Sequence, residues 1–315
     1  RRRIPAAPVN AMADVYADEQ LRSRNFFVPL PGFDLNGSPA LVPGMPMKSA
    51  AMSPRLDNRA PRLGEHNRDI LTDSPPKGRS GAIAPLTPDP LRAGPLAGIR
   101  VADFSWVWAG PYCGLQLAHL GAEVIRVETA RRPDINRTIP PFHERKPGLN
   151  RGGSFNEKNH NKLSVQLNLE KPEAVGIIRQ LVRHCDIAAE NFAAGVIDRL
   201  GVGYQTLRVE RPDLIMISLS GYGDTGPYRD YVAYGPAQVP LCGLSALTGY
   251  IGGPPMHAGY SYADPNGGVH GAFAILTALY HRELTGEGQY IDMSQWECAM
   301  AVLPEGIMEY TMNGR

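Results

Sequence analysis

Five short apolar runs separated by helix-patterned stretches constrain this chain more than any other feature: Ile99 to Phe104, Glu123 to Glu128 (EVIRVE), Leu163 to Leu169, Asp186 to Ala189 and Leu214 to Leu219 (LIMISL). Between the first two, Pro111 to Leu120 has helical spacing and stops at Gly121. After the third, Pro172 to Cys185 puts Ala174, Val175, Ile178, Leu181, Val182 and Cys185 along one helical face. Strands that alternate with helices predict an α/β fold: a Rossmann-like, mainly parallel sheet with helices on both faces. Ligands of such sheets collect outside the carboxyl ends of the strands. That rule points to Phe104–Gly110, Glu128–Arg132, Glu190–Gly195 and Ser220–Gly226.

The pattern starts abruptly at Leu96. Upstream, the chain is rich in Pro, Gly and basic residues, with a strand-like piece at Phe26 to Leu30 and a turn-heavy stretch from Pro31 to Pro54. The run from Thr72 to Pro95 reads as a linker. Lys plus Arg number 32 against 31 Asp plus Glu, a net charge of +1 that excludes a nucleic-acid binder relying on a general basic field. A phosphate-bearing small ligand needs only a local basic cluster. No apolar run reaches membrane-spanning length and no signal-peptide pattern is seen, so a cytoplasmic protein is expected, with no membrane partner. Cys113, Cys185, Cys242 and Cys298 are too widely spaced for a zinc site and read as reduced thiols, and no metal is expected.

After the first strand comes SWVWAGPYCG, which lacks the GxGxxG of dinucleotide sites. Gly110 and Pro111 still open a helix whose N-terminus could receive a phosphate or thioester oxygen. Lys162, Arg199, Arg126 and Arg131 are cations near predicted strand ends, where a solvated charge is the commoner role. Trp106 and Trp108 could stack on a ring or an acyl group, although a Trp beside a strand more often packs.

One carboxylate stands apart. Asp264 lies in GYSYADPNGGVHG, ahead of an apolar helix that closes at Thr285 and Gly286 and reads as buried all round. Read structurally, it is an N-cap with Pro265 at the first helical position. The functional reading makes it a nucleophile in a glycine-rich loop that a thioester can approach closely, with the helix end favouring its ionised form.

The ordered segments DFSWVWAGP (Asp103–Pro111), LGAEVIRVE (Leu120–Glu128), NKLSVQLNL (Asn161–Leu169), ENFAAGVIDRLGVGY (Glu190–Tyr204), SGYGDTGPY (Ser220–Tyr228) and ADPNGG followed by TGEGQYIDMS closely resemble the family III CoA-transferases of the formyl-CoA and carnitine type. The resemblance implies an acyl-CoA:carboxylate CoA-transferase whose partners are an acyl-CoA and a carboxylic acid acceptor. Its catalytic aspartate falls on Asp264, which attacks the thioester, forms a mixed anhydride and then carries coenzyme A as an aspartyl thioester. CoA contacts implied by the same resemblance fall on Val107, Asn191, Phe192, Arg199 and Lys162. Arg199 and Lys162 would meet phosphates, and Tyr234 matches a tyrosine that neighbours the active site. Where the formyl-CoA pattern has glutamine before AGP, this chain has Trp108, which implies a different acyl pocket.

Residues 1–75 hold ADVYADEQLRSRNFF, PGMPMKSAAMSP and APRLGEHNRDIL, which resemble the C-terminal end of the same family. We therefore expect 1–75 to be a remnant of a preceding repeat, 76–95 a linker and 96–315 the N-terminal part of a second, incomplete repeat. Circular permutation is the alternative. Interlocked dimers of the family would become a pseudo-dimer of tandem halves. Two other functions stay open: an acyl-CoA racemase or isomerase, whose histidine position is Tyr234 here and is matched by neither His257 nor His270, and a non-catalytic CoA-binding half.

Overall fold

The computed structural model describes residues 8–35, 37–46, 48, 56–71 and 94–314. Two strands, β1 (Phe27–Leu35) and β2 (Ser38–Pro43), form an antiparallel hairpin. The other six make one sheet: β3 (Arg100–Asp103), β4 (Glu123–Glu128), β5 (Lys162–Gln166), β6 (Ile187–Glu190), β7 (Ile215–Ser220) and β8 (Tyr290–Ser294). Their order is β5-β4-β3-β6-β7-β8 and every pairing is parallel. The chain thus winds outward twice from a central pair, β3 and β6. Between those two the strand order reverses, which opens a crevice beyond the carboxyl ends.

Side-chain alternation sorts the core onto two faces. Val101, Val124, Ile187 and Ile215 face the helices Ala109–His119 and Ala263–Thr285, meeting Cys113, Leu117, Ala272 and Ile275. Their neighbours Ala102, Ile125, Ala188 and Met216 face the other way, against Ile178, Leu181 and Val182 of the helix Pro172–Val182 and Leu207 of the helix Tyr204–Glu210. Burial on both faces explains why β6 and β7, buried along their whole length, read as apolar runs.

The structure corrects the reading of the long helix. It begins at Ala263 rather than after the glycines, with Tyr262 as its N-cap and no side-chain cap. Asp264 is therefore in the first turn and does not cap it, and Pro265 sits where the missing N–H costs nothing. The glycines do not form a loop. A Cβ at Gly268 would meet the Ala109 carbonyl oxygen at 2.8 Å, and one at Gly271 would press on Leu219 and come within 3.2 Å of Cys113 Sγ. They let this helix lie close on the helix Ala109–His119, which outweighs the roughly 1 kcal/mol a helical glycine costs. Nor is the helix buried all round, because Val269, Phe273, Tyr280 and Leu284 on its outer side are exposed.

The turn-heavy stretch expected from Pro31 contains the rest of β1 and all of β2. The linker read at Thr72–Pro95 lies outside the described residues up to Ala93. Residues 56–71 cover the open edge of β5. His66 N–H donates to the Ser164 carbonyl (2.9 Å), Ser164 N–H to His66 Nδ1 (3.1 Å) and Gln166 N–H to Asn67 Oδ1 (2.7 Å). An edge covered in this way cannot pair with another chain. Among the described residues no helix is long and apolar enough to cross a membrane.

Candidate active site

A cavity of about 610 Å³ lies beyond the carboxyl ends of β3, β4, β6 and β7. All four stretches named by the strand-end rule contribute to it, through Trp106 to Trp108, Glu128 to Arg132, Asn191 to Ala193 and Gly221. Tyr231 to Tyr234 form a further wall, Leu167 to Glu170 another, and Asp264 and Gln295 also face the cavity.

Asp264 is 9% exposed. Ser261 Oγ donates to its Oδ2, and Gln295 Nε2 donates to its Oδ1 at 2.9 Å. A Cβ at Gly235 would overlap Oδ2 and Ser261 Oγ, and would lie 2.6 Å from Asp264 Cγ. Only glycine fits there. Burial raises the Asp264 pKa above the usual carboxylate range, and the two hydrogen bonds and the charge of Lys158 offset only part of that. Desolvation thus works against the ionised form that the helix end is expected to favour. A desolvated carboxylate with no ionic partner is a stronger nucleophile than a solvated or salt-bridged one.

The turn after β3 is held under strain. Val107 has a φ of +68°, a left-handed conformation that a β-branched residue rarely adopts. Its N–H donates to Asp134 Oδ2 (3.1 Å), and its carbonyl accepts from Asn136 Nδ2. Asn191 clamps the adjacent residue, accepting from Trp106 N–H (2.7 Å) and donating to the Trp106 carbonyl (2.8 Å). Phe192 N–H is likewise taken, by Glu190 Oε2 at 2.7 Å. Val107, Asn191 and Phe192 therefore line the cavity as fixed walls, with these polar groups already engaged. Trp108 is wedged between Tyr260, in edge contact at 5.3 Å, and Lys158 Nζ, 4.3 Å from the ring centre. Tyr234, 60% exposed, lines the mouth.

Three of the four expected cations lie outside the cavity lining. Lys162 is 2% exposed and donates to Asp103 Oδ2 (2.9 Å) and the Pro111 carbonyl (2.8 Å), so it cannot reach a phosphate in the cavity. Arg126 is fully buried against Asp134 and Glu128. Arg199 is exposed, and its Nη1 lies 3.3 Å from the position a Gly195 Cβ would take, close to the β6 end but outside the cavity lining. Arg131, paired with Glu170, and Arg132, 5.8 Å from the Trp106 ring centre, stand in the lining instead. Ser261, Gln295, Gly235, Asp134 and Asn136 carry no signal in the sequence, because single polar or glycine residues far apart in the chain make no motif. Among the described residues, no histidine lines the cavity.

A doubly wound parallel sheet with a buried acid at its switch point defines a class of ligand-binding α/β proteins. Residues 1–67 and 96–315 match CoA-transferase family III, and the chain belongs to that family. The succinate–glutarate CoA-transferase of Agrobacterium fabrum is 39% identical over 232 residues, covering 73% of this chain and 58% of that protein. A succinyl-CoA–D-citramalate CoA-transferase of Chloroflexus aurantiacus is 35% identical over 222 residues, 70% and 54% of the two chains. The crystal structure of a CAIB/BAIF family protein from Brucella suis matches with a TM-score of 0.66 at 34% identity, over 71% of this chain and 59% of that one. The chain spans little more than half the length of these relatives.

Proposed function

We propose that the protein transfers coenzyme A from an acyl-CoA to a carboxylic acid, with Asp264 carrying the CoA as an aspartyl thioester. One observation carries the reading. Among the described residues, Glu128, Glu170 and Asp264 are the carboxylates of the cavity lining, and of these three only Asp264 forms no salt bridge. Glu128 is held by Arg126 and Arg137, and Glu170 by Arg131. A group meant to attack a carbonyl must keep a lone pair free of a salt bridge, and Asp264 meets that need.

In this reading Arg131, Arg132 and, from the rim, Arg199 supply charge-assisted donors to the CoA phosphates. Pantetheine passes Val107, Asn191 and Phe192 towards Asp264, and Trp108 and Tyr234 bound the acyl end. Holding thiolate and anhydride together makes each exchange effectively intramolecular, a gain of roughly 7 to 11 kcal/mol in good geometry. Similar proteins named for succinate and glutarate, and for succinyl-CoA and D-citramalate, make a short dicarboxylate the first acyl group to try. The racemase reading needs a second proton carrier, and the position its resemblance gives to histidine holds Tyr234 here. A preceding repeat in residues 1–75 and a partner half, separate or covalently joined, remain part of the proposal. The exposed Phe273, Tyr280 and Leu284 support it, since such a half would cover them.

The test uses the intact protein. Incubation with succinyl-CoA and hydroxylamine should convert Asp264 to its hydroxamate, and Asp264→Ala should abolish the product. A hydroxamate on another residue would overturn the assignment.

A further inference from the structure

The two oxygens of Asp264 sit in different surroundings. Oδ1 is held by Gln295, which lines the cavity, whereas Oδ2 is held by Ser261 beside Gly235, and neither of those residues lines it. Ser261 is itself buried. From this asymmetry we infer that Oδ1 is the attacking oxygen and that the Ser261 hydroxyl is a catalytic oxyanion donor to Oδ2 on the aspartyl side of the exchange. The inference rests on the function proposed above and assigns roles within that site.

The chemistry needs such a donor at a definite step. Oδ1 attacks the thioester carbonyl, and the C–S bond breaks with its electron pair leaving on the CoA thiolate. Asp264 Cγ is now part of a mixed anhydride. The thiolate adds to Cγ, which pushes the carbonyl electrons onto Oδ2. Collapse of that adduct breaks the Cγ–Oδ1 bond, and the donor acid departs carrying Oδ1 and the electron pair, with no proton consumed. Asp264 remains as a thioester whose carbonyl oxygen is Oδ2. When the acceptor carboxylate attacks, negative charge returns to Oδ2 before the thiolate leaves. In both adducts the charge falls where Ser261 Oγ already points, and a preorganised donor at such a place requires no rearrangement. Gln295 meanwhile aims Oδ1 at the cavity and steadies the acid that leaves with it. Gly235 has the same part in every state: its missing side chain leaves room for Oδ2 and the Ser261 hydroxyl to meet.

The experiment compares the parent protein with Ser261→Ala, using succinyl-CoA as donor and glutarate as acceptor. Loss of an oxyanion donor predicts a fall in kcat on the order of 10²-fold with little change in KM for the acyl-CoA. It also removes a bond that favours the ionised carboxylate, so the acid limb of the rate profile should move to higher pH. Lys158 and Tyr260, the other titratable groups coupled to Asp264, are untouched by the variant and serve as the fixed background. A parent that shows the Asp264–CoA adduct by mass spectrometry, beside a variant with unaltered kcat, overturns the inference and leaves the function standing. A variant that melts earlier but keeps its acid limb in place marks Ser261 as structural and also overturns it. Absence of the adduct in the active parent removes the function itself.

Discussion

Two groups of acids lie at the same end of the same sheet and have opposite fates. Asp103, at the end of β3, is fully buried; desolvation alone would push its carboxyl up, but Lys162 and Arg126 beside it outweigh that and hold it below the usual range. Glu128, at the end of β4, behaves alike between Arg126 and Arg137. Asp264 is no deeper, yet burial wins there, because its contacts are the neutral donors Ser261 and Gln295. Burial alone therefore does not mark a reactive acid. The partner does: cations turn a buried carboxylate into a structural tie, and neutral donors leave it available.

Breaking the contrast at Asp264 should give the largest effect. Asp264→Asn removes the nucleophile while keeping the shape, so CoA transfer should fall on the order of 10⁴-fold or more. Thermal melting should not fall, because an acid with a raised pKa adds no stability once ionised. Lys162→Met makes the reverse prediction. Removing one partner of a buried pair leaves Asp103 with the charge of Arg126 but without its ion pair, at about 3 to 5 kcal/mol by denaturant titration. Were Lys162 instead a phosphate ligand, KM for the acyl-CoA would rise with stability unchanged.

What the sequence revealed follows the same physical division. Strands β3 to β7 were legible because parallel strands covered on both faces are written as apolar runs. Strand β8, YIDMS, was not, since it lies at an edge with only Ser294 buried and carries Asp292 in its middle. The hairpin hid behind Pro29, Pro31, Pro39 and Pro43, residues a two-stranded edge tolerates and a central strand does not. At the site, Asp264 was recognisable from its motif and the cavity from strand-end rules. Ser261 and Gln295 were not, because their function arises only where two parts of the chain 34 positions apart meet. Lys162, expected to meet a phosphate, instead donates to Asp103 and the Pro111 carbonyl, and a cation beside a strand end reads the same in sequence whether it points into a cavity or under a helix.

Glu190 sharpens the comparison as a third case. It is buried at the end of β6, with only Ser218 and the Phe192 N–H as donors and Asp224 and Asp198 nearby, and burial pushes its carboxyl up from 4.5 to about 7. In the unfolded chain it ionises near 4.5, so stability present below that pH is lost as pH rises to about 7. The loss amounts to about 3 kcal/mol. Glu190→Gln should abolish this slope, which denaturant midpoints across the interval would measure. A slope that persists in the variant would place its source in another group.

Gly235→Ala probes the neutral-donor site from its closed side. The added methyl carbon would overlap Asp264 Oδ2 and Ser261 Oγ, and neither is the free end of a flexible side chain, so the carboxylate must shift. A displacement on the order of 1 Å costs about 10²-fold in rate when the attacking atom is the one displaced. The ion-paired Asp103 makes a weaker demand: a Cβ at Gly114 would stand 3.1 Å from its Oδ2 and 3.0 Å from Lys162 Nζ, short of the overlap at Gly235, and Lys162 is a flexible side chain that can give way. We expect kcat to fall about 10²-fold, with overpacking costing about 1 to 3 kcal/mol in stability. Steady-state kinetics beside a melting curve separates the two losses. If the rate stays at the parent level while stability drops, the carboxylate has room that its contacts deny, and the distinction between anchored and available acids loses its geometric basis.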